Sequence, residues 1–417
     1  MADVTRLVLG DAAGAEALVG RLRALVPGAA DVSAAAARIV GEVREGGDAA
    51  LLRLAREHDG LGEQSELLVG ADQLQQALRE LDPDVRAALE LAIENVDVVA
   101  RAGLGADVEV SLDQGQRVLL RELPVGRAAI YVPGGRAPYP SSVVMGAVTA
   151  RAAGVADVVV CAPGAHPLIL AACALCGVSE VLRAGGAHAI AALAYGTETI
   201  RRADVIAGPG NLWVQEAKRL VSGDVGIDGF AGPSDVLVLA SGGARAELVA
   251  IDLLAQAEHG AGSIAVGVSD DPELIGAVQQ QLAAAPESGA ALVLVEVPDM
   301  TAGLALSEAF APEHLELQGA AAEALAPQVT RAGCLFVGAS GATAFGDYVA
   351  GSNHTLPTGG AARFASGLNV RHFRRRMSEV RIGAAAARLA APGAAIARVE
   401  GFDVHAVSME VRENGAS

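Results

Sequence analysis

Apolar residues between positions 31 and 106 recur three and four apart. DVSAAAARIVGEVREGGDAALLRLAREHDG and ADQLQQALRELDPDVRAALELAIENVDVVARA both carry this spacing. It turns one apolar face toward a core and predicts helices. At 108–131 the period changes to alternation, in VEVSLDQGQRVLLRELPVGRAAIYV, which predicts strands in a hairpin or meander. From 132 to 240, helical runs alternate with short β-like runs. VVMGAVTARAAGV precedes ADVVVCAPG, LILAACALCGV precedes EVLRAGG, AHAIAALAYGTETI precedes ADVIAGPG, and NLWVQEAKRLV precedes DGFAGPSDVLVLA. A second set follows, in ELVAIDLLAQAEHG, SIAVGV, PELIGAVQQQLAA, ALVLVEV, AAAEALAPQVTRA and CLFVGA. Strands that alternate with helices imply parallel sheets covered by helices, an α/β fold. Past about 370 the chain turns basic, then Ala-rich, and ends in the strand-like HAVSMEVR. That stretch is expected to be an appendage.

Composition narrows the class. The chain has 417 residues, 52% hydrophobic and only 3% aromatic, so its cores must be built from Ala, Val, Leu and Ile. At ~100–200 residues per domain, two to four domains are expected. The 50 glycines stand at the ends of apolar runs, as tight turns require, and not in a periodic tract. A formal net charge of −18 argues against nucleic acid as a partner, since a binder shows a basic patch. The one dense basic run, HFRRRMSEVR (372–381), reads as a solvated or interface segment. MADVTRLVLGDAAG is not a secretory signal, and no apolar run approaches the ~18 residues of a membrane span. Cys161, Cys173, Cys176 and Cys334 fit free thiols in a reducing, cytoplasmic setting.

Candidate chemistry sits in a few short stretches. GxGxxG and GxxxxGK[ST] are both absent, so neither an ordinary dinucleotide fingerprint nor a P-loop is supported. Glycine turns follow β-like runs at YVPGGRAPYPSS (131–142), RAGGAHA (183–189) and IAGPGN (206–211). They fall at strand carboxyl ends, where α/β folds bind ligands. Asn211 opens a helix, either as its N-cap or as a ligand contact. In DLLAQAEHG (252–260), Gln256 and His259 share a helix face at three-residue spacing, as two metal ligands would. His259 before Gly260 also suits a simple cap of loose carbonyls. Glu313 and His314, in FAPEHLEL after Pro312, could bring a carboxylate and an imidazole to one pocket from a loop. A helix-start pair on the surface is the alternative. His354 follows Asp347 in GDYVAGSNHTLPTGG, and His405 follows Glu400 in VEGFDVH.

As an ordered set, these stretches resemble the histidinol dehydrogenase family. They comprise YVPGGRAPYPSSV, AIAALAYGTETI, AGPGN with VQEAKR, IDGFAGPSDVLV, DLLAQAEHG, APEHLEL, GDYVAGSNHTLPTGG, ARFASGLNV and EGFDVH. The resemblance runs from about 25 to 410. It implies two incomplete Rossmann-like parallel-sheet domains with small N- and C-terminal appendages. The expected boundaries are an appendage over 1–24, one domain over 25–128 with 236–368, a second over 129–235, and a tail over 369–417. It implies oxidation of L-histidinol through the aldehyde to L-histidine with two NAD, the last two steps of histidine biosynthesis. Carried over, one zinc per subunit falls on Gln256, His259, Asp347 and His405. Glu313 and His314 fall on the catalytic pair. Substrate contacts fall on Ser234, Gln256, His259, His314, Asp347, Glu400 and His405. NAD contacts fall on Tyr131, His188 and Asn211.

Three positions depart from the family's pattern. His188 stands where Gln is usual, Asp235 where Glu is usual, and Trp213 where Tyr or Phe is common; the latter two are expected to stay clear of the chemistry. A homodimer is implied, in which the C-terminal segment completes the partner's site. The rival is a paralogous zinc- and NAD-dependent dehydrogenase of another small alcohol, such as sulfopropanediol. Glu400 separates the two, since a carboxylate suits a cationic amine and opposes a sulfonate.

Overall fold

The computed structural model describes residues 3–26, 32–134, 137–230 and 234–413. Parts of two expected motifs, Gly135-Arg136 and Ala231-Gly232-Pro233, lie outside the described residues. The chain divides into two compact units, Met1–Gly103 with Gly126–Phe373, and Leu104–Val125 with Arg374–Ser417. The described strands, in chain order, are β1 (Val4–Val8), β2 (Leu68–Val69), β3 (Val108–Ser111), β4 (Arg117–Pro124), β5 (Arg127–Tyr131), β6 (Asp157–Cys161), β7 (Glu180–Leu182), β8 (Val205–Ala207), β9 (Gly226–Ile227), β10 (Asp235–Ala240), β11 (Ile264–Ser269), β12 (Ala291–Glu296), β13 (His314–Gln318), β14 (Cys334–Val337) and β15 (Arg374–Arg381).

The larger unit holds two six-stranded sheets, and the expected α/β class with parallel sheets is borne out. One sheet runs β1-β12-β11-β10-β13-β14 and is parallel throughout. Helices cover both its faces, so β10 and β11 are buried at every position and read as unbroken apolar runs. Successive side chains of β10 serve opposite cores. Leu237 and Leu239 pack with Leu306 and Phe310, whereas Val236 and Val238 pack with Leu253 and Val278. The other sheet runs β2-β7-β6-β5-β8-β9, antiparallel only at β2–β7. The helix Gly186–Tyr195 lies against it, buried at eight positions, five of them alanines. Those small side chains compensate for the lack of aromatics by letting backbones approach.

Several elements differ from their sequence patterns. β5 does not continue a meander with β3 and β4; it enters the parallel sheet between β6 and β8. Within residues 1–24, expected as an appendage, Val4–Val8 is the edge strand paired with β12. AAAEALAPQVTRA forms only the short helix Ala320–Glu323 and a 3-10 turn at Ala326–Gln328, because Pro327 removes a helical N–H donor.

In the smaller unit, β15 and β3 flank β4 in an antiparallel sheet. The basic run therefore forms a mostly exposed strand. The strand-like HAVSMEVR is a correction: Asp403–Glu410 is a helix. Its alternation yields to packing of Ala406 and Met409 on Ala394 and Ala397 of the preceding helix Ala386–Val399. Gly393 allows the approach, since a Cβ there would lie 2.5 Å from the Met409 sulfur.

Candidate active site

One group of predicted site residues gathers at the amino ends of β10 and β13. The parallel register sets Val236 opposite His314, so Ser234, Asp235 and Glu313 meet just before it. The helix Met300–Phe310 stops at Ala311, which is left-handed at φ 47°. Pro312 then opposes any helical continuation. Glu313 and His314 are thus neither a loop pair nor a surface helix start. His314 begins a central strand with Glu313 directly before it, and both are buried, Glu313 at 7% and His314 at 4% exposure. Glu313 Oε2 accepts from Ser234 Oγ at 2.7 Å and from the Asp235 backbone N–H at 3.0 Å. Asp235 Oδ1 in turn accepts from the Glu313 N–H at 2.7 Å, while its Oδ2 takes Arg23 at 2.6 Å. Asp235, expected to be clear of the chemistry, therefore holds Glu313 directly.

Burial pushes the Glu313 carboxyl up to about 7; His314 opposes the rise and Asp235 adds to it. At His314, burial disfavours the charged ring, but the Glu313 and then the Asp347 carboxylates outweigh it and raise the value to about 9. His314 Nδ1 lies 3.8 Å from Glu313 Oε2 and Nε2 lies 3.6 Å from Asp347 Oδ1, ion-pair separations longer than hydrogen bonds. Nδ1 is a buried atom with no hydrogen-bond partner among the described residues.

Gln256 and His259 reach the same place from the end of the helix Ala246–Ala257. Gln256 is buried and donates Nε2 to Ser234 Oγ at 2.8 Å, which leaves its carbonyl Oε1 as the outward donor atom. His259 Nδ1 bonds the Gln256 backbone carbonyl at 3.0 Å, and Gly260 follows at φ 79°. The capping role is therefore present, and it also fixes the ring with Nε2 as its second nitrogen. Asp347 ends the helix Thr343–Tyr348. Burial would raise its carboxyl, but His314, His354 and His259 hold it below the ordinary range. His354 Nδ1 bonds the Asp347 backbone carbonyl at 2.9 Å, and burial keeps its pKa low.

Among the described residues no three His, Cys, Asp or Glu side chains gather as a cation group. The donors this unit offers are the Gln256 amide oxygen, the His259 imidazole and the Asp347 carboxylate, an N/O set suited to zinc and short of a fourth ligand. Glu400 and His405 belong to the smaller unit and are exposed there, His405 packing edge-on against Phe402.

A second group lines a cavity of about 560 Å³ beyond the carboxyl end of β5. Its walls include Tyr131, His188, Asn211, Trp213, His58 and Asp59. β5 lies between β6 and β8, the point where the strand order reverses and α/β folds bind ligands. The Tyr131 hydroxyl accepts from the Gly186 N–H at 3.0 Å, and burial pushes its pKa up. Asn211 is indeed the cap of Leu212–Val221, its Oδ1 accepting from Trp213 and Val214 N–H groups. The preceding turn needs glycine at 208, where φ is +122° and a Cβ would lie 2.1 Å from the Tyr131 carbonyl oxygen. Buried Lys218 and Asp228 pin that turn. Lys218 Nζ bonds the Gly208 carbonyl and Asp228 Oδ1, and Asp228 Oδ2 accepts from the Gly208 N–H at 2.7 Å. Sequence reasoning missed Asp59, whose Oδ2 lies 2.7 Å from His188 Nε2 and accepts from the Gly185 N–H at 2.8 Å. Only its position at the end of the helix Ser33–His58 hinted at a role. Trp213, expected to be clear of the chemistry, is part of this wall.

Residues 27–413 match the histidinol dehydrogenase family. The chain belongs to that family. Its members among known proteins include the histidinol dehydrogenase of Rhizobium meliloti, 41% identical over 92% of each chain. That of Parasynechococcus marenigrum is 43% identical over 90% of this chain and 89% of its own. The crystal structure of histidinol dehydrogenase from Elizabethkingia anophelis superposes with a TM-score of 0.89 at 28% identity, over 98% of this chain and 97% of that one. An acetylating aldehyde dehydrogenase from Geobacillus thermoglucosidasius, 15% identical with a TM-score of 0.50 over 88% of this chain and 97% of that one, shares the fold alone. Membership makes this chain an oxidoreductase. Among the described residues no helix is long and apolar enough to cross a membrane.

Proposed function

We propose that the chain oxidises L-histidinol through L-histidinaldehyde to L-histidine, using zinc and two NAD, as the last two steps of histidine biosynthesis in the cytoplasm. The observation that carries this reading is the buried Glu313–His314 pair set between Ser234 and Asp347. When bound, NAD takes up the hydrides and zinc holds the substrate's amine and imidazole nitrogens. Gln256 Oε1, His259 Nε2 and Asp347 are the groups of this chain that would hold the metal, with His405 as fourth ligand. Tyr131, His188 and Asn211 would contact NAD in the cavity beyond β5.

His314 takes the hydroxyl proton at Nε2, the edge facing Asp347, as the carbinol C–H leaves as hydride. Asp347 raises the His314 pKa by its negative charge; were Asp347 to hold a cation, that effect would weaken and the ring would move toward the range of a neutral-pH base. Ser234 and the Asp235 N–H occupy Glu313 Oε2 and leave Oε1 to take a proton from water. The hydroxide formed adds to the aldehyde carbon. Once His314 has released its first proton to solvent, it again accepts a hydroxyl proton as the second C–H leaves as hydride, giving the carboxylate. A carboxyl with a pKa near 7 suits a hydration base at neutral pH.

His405 and Glu400 would complete the partner's site in a homodimer, with Glu400 meeting the substrate's ammonium group. Support comes from the apolar surface beside them: Val399 and Val404 are 90% and 80% exposed, and Ile396, Phe402, Val407 and Val411 are at least half exposed. Such a patch on soluble protein marks an interaction surface. The test is NAD reduction by zinc-loaded protein with L-histidinol, with sulfopropanediol in parallel. Turnover with histidinol alone, lost on chelation, is expected. Turnover with the sulfonate alone would move the assignment to the paralogous activity.

A further inference from the structure

Behind the site lie two carboxyl groups that the mechanism does not use. Asp252, on the helix Ala246–Ala257, and Glu316, on β13, are buried at 8% and 1% exposure. Gln318 Nε2 donates to Asp252 Oδ2 and to Glu316 Oε2, each at 3.0 Å. One amide group thus draws the two carboxyls together. Glu316 Oε1 accepts from the backbone N–H of Thr343 at 2.9 Å, the first residue of the helix Thr343–Tyr348. Two buried carboxylates in contact repel each other and lose hydration, so both cannot ionise. A proton kept by one of them would bridge the two in an O–H···O⁻ bond, stronger than a neutral one, from helix to strand. Burial raises both pKa values; the Asp252 charge raises that of Glu316 further, while the bonds to Glu316 and Gln318 oppose the rise at Asp252.

The position of this pair gives it a purpose. Asp252, Gln256 and His259 stand at i, i+4 and i+7, on one helix face. Glu316 is two residues beyond His314, on the same face of the strand. Thr343 is one helical turn before Asp347. Each anchor is thus one turn or one strand step from a residue of the site. We propose that the proton-sharing Asp252–Glu316 pair is the positioning strut of the active site, fixing the elements that carry Gln256 and His259, His314, and Asp347 against one another. The inference rests on the functional reading above for the roles of those four residues.

Glu316→Ala and Glu316→Gln separate the strut from mere packing. An amide supplies permanently the hydrogen that the shared proton supplies, so Glu316→Gln should keep zinc affinity and kcat within about threefold of wild type. Glu316→Ala should lower both by about 10–100-fold, the usual cost of losing support behind a metal ligand, with KM for NAD unchanged. In the zinc-loaded, substrate-free enzyme at neutral pH, the infrared band of a protonated carboxyl should disappear in Glu316→Gln; any contribution from Glu313 should remain. Should Glu316→Ala fail to fold, Asp252→Ala breaks the same bond from the helix side and should show the same losses. Wild-type zinc affinity and kcat in the alanine variant would overturn the strut. A glutamine variant as damaged as the alanine one, or an unchanged band, would overturn the shared proton. If histidinol is not turned over, the functional reading fails, while zinc affinity and the infrared band still decide the strut.

Discussion

The two sheets of the larger unit use opposite ends. In the sheet centred on β5, the amino ends are closed by ions. Buried Arg127, at the start of β5, bonds Asp157 at the start of β6 and Glu180 at the start of β7, at 2.7 and 2.6 Å. Its cavity opens at the carboxyl ends, lined by the glycine turns at Gly134, Gly164, Gly185 and Gly186. In the sheet centred on β10, the amino ends carry Ser234, Asp235, Glu313 and His314. The difference matches the chemistry. On the proposed function, a long cofactor would be held by turns, backbone donors and one aromatic hydroxyl. A proton-transfer site needs titratable side chains with fixed partners in low dielectric, which a buried strand start supplies.

If the division holds, damage at one end should leave binding at the other intact. The largest effect is expected from His314→Ala. Turnover should fall by about 10²–10⁴-fold, the usual worth of a positioned base, while calorimetry finds zinc and NAD still bound. Loss of NAD binding in that variant would break the comparison. Next comes Lys218→Ala, which strands buried Asp228 beneath the Gly208 turn. Breaking such a pair costs about 3–5 kcal/mol, visible in thermal unfolding, and NAD affinity should fall while zinc affinity in the folded fraction does not.

A smaller effect is expected from His188→Gln, which restores the residue usual in the family. It loosens the contact with Asp59, and an exchanged hydrogen bond of about 1 kcal/mol would shift NAD affinity by less than tenfold. A changed rate for the aldehyde half-reaction at saturating NAD would show that the two ends are not separate. The smallest effect lies outside both sites. Arg219 and Ser33 hold the Glu216 carboxyl down to about 2, from an ordinary 4.5. A depressed carboxyl stabilises the fold above its unfolded pKa and loses that contribution as pH falls through its folded value. Wild-type stability should therefore drop between about pH 4.5 and 2 more than that of Glu216→Gln, in acid unfolding curves; equal slopes would remove the contribution.

Much of this was legible in the chain because local rules and tertiary packing agree. The α/β alternation marked both parallel sheets, and AGPGN marked a turn that only glycine can make beside Tyr131. Gln256 and His259 were legible as a helix end by spacing. The pattern failed where distant partners decide. The alternation of HAVSMEVR is genuine, but Ala394 and Ala397 give it a helical neighbour. Glu313-His314 was ambiguous because its strand begins only through the left-handed stop at Ala311 and pairing with β10. Asp59, Asp235, Asp252 and Glu316 take their meaning from partners 27 to 129 residues away, which no local window contains.

The most direct test of the proton chemistry is the yield of NADH per L-histidinol in Glu313→Gln, set against wild type, with a trapping agent for free aldehyde. The account predicts two NADH and histidine from wild type, and about one NADH with trapped histidinaldehyde from the variant, because His314 still serves the first oxidation. Two NADH at the wild-type rate from Glu313→Gln would contradict the assignment of hydration to Glu313.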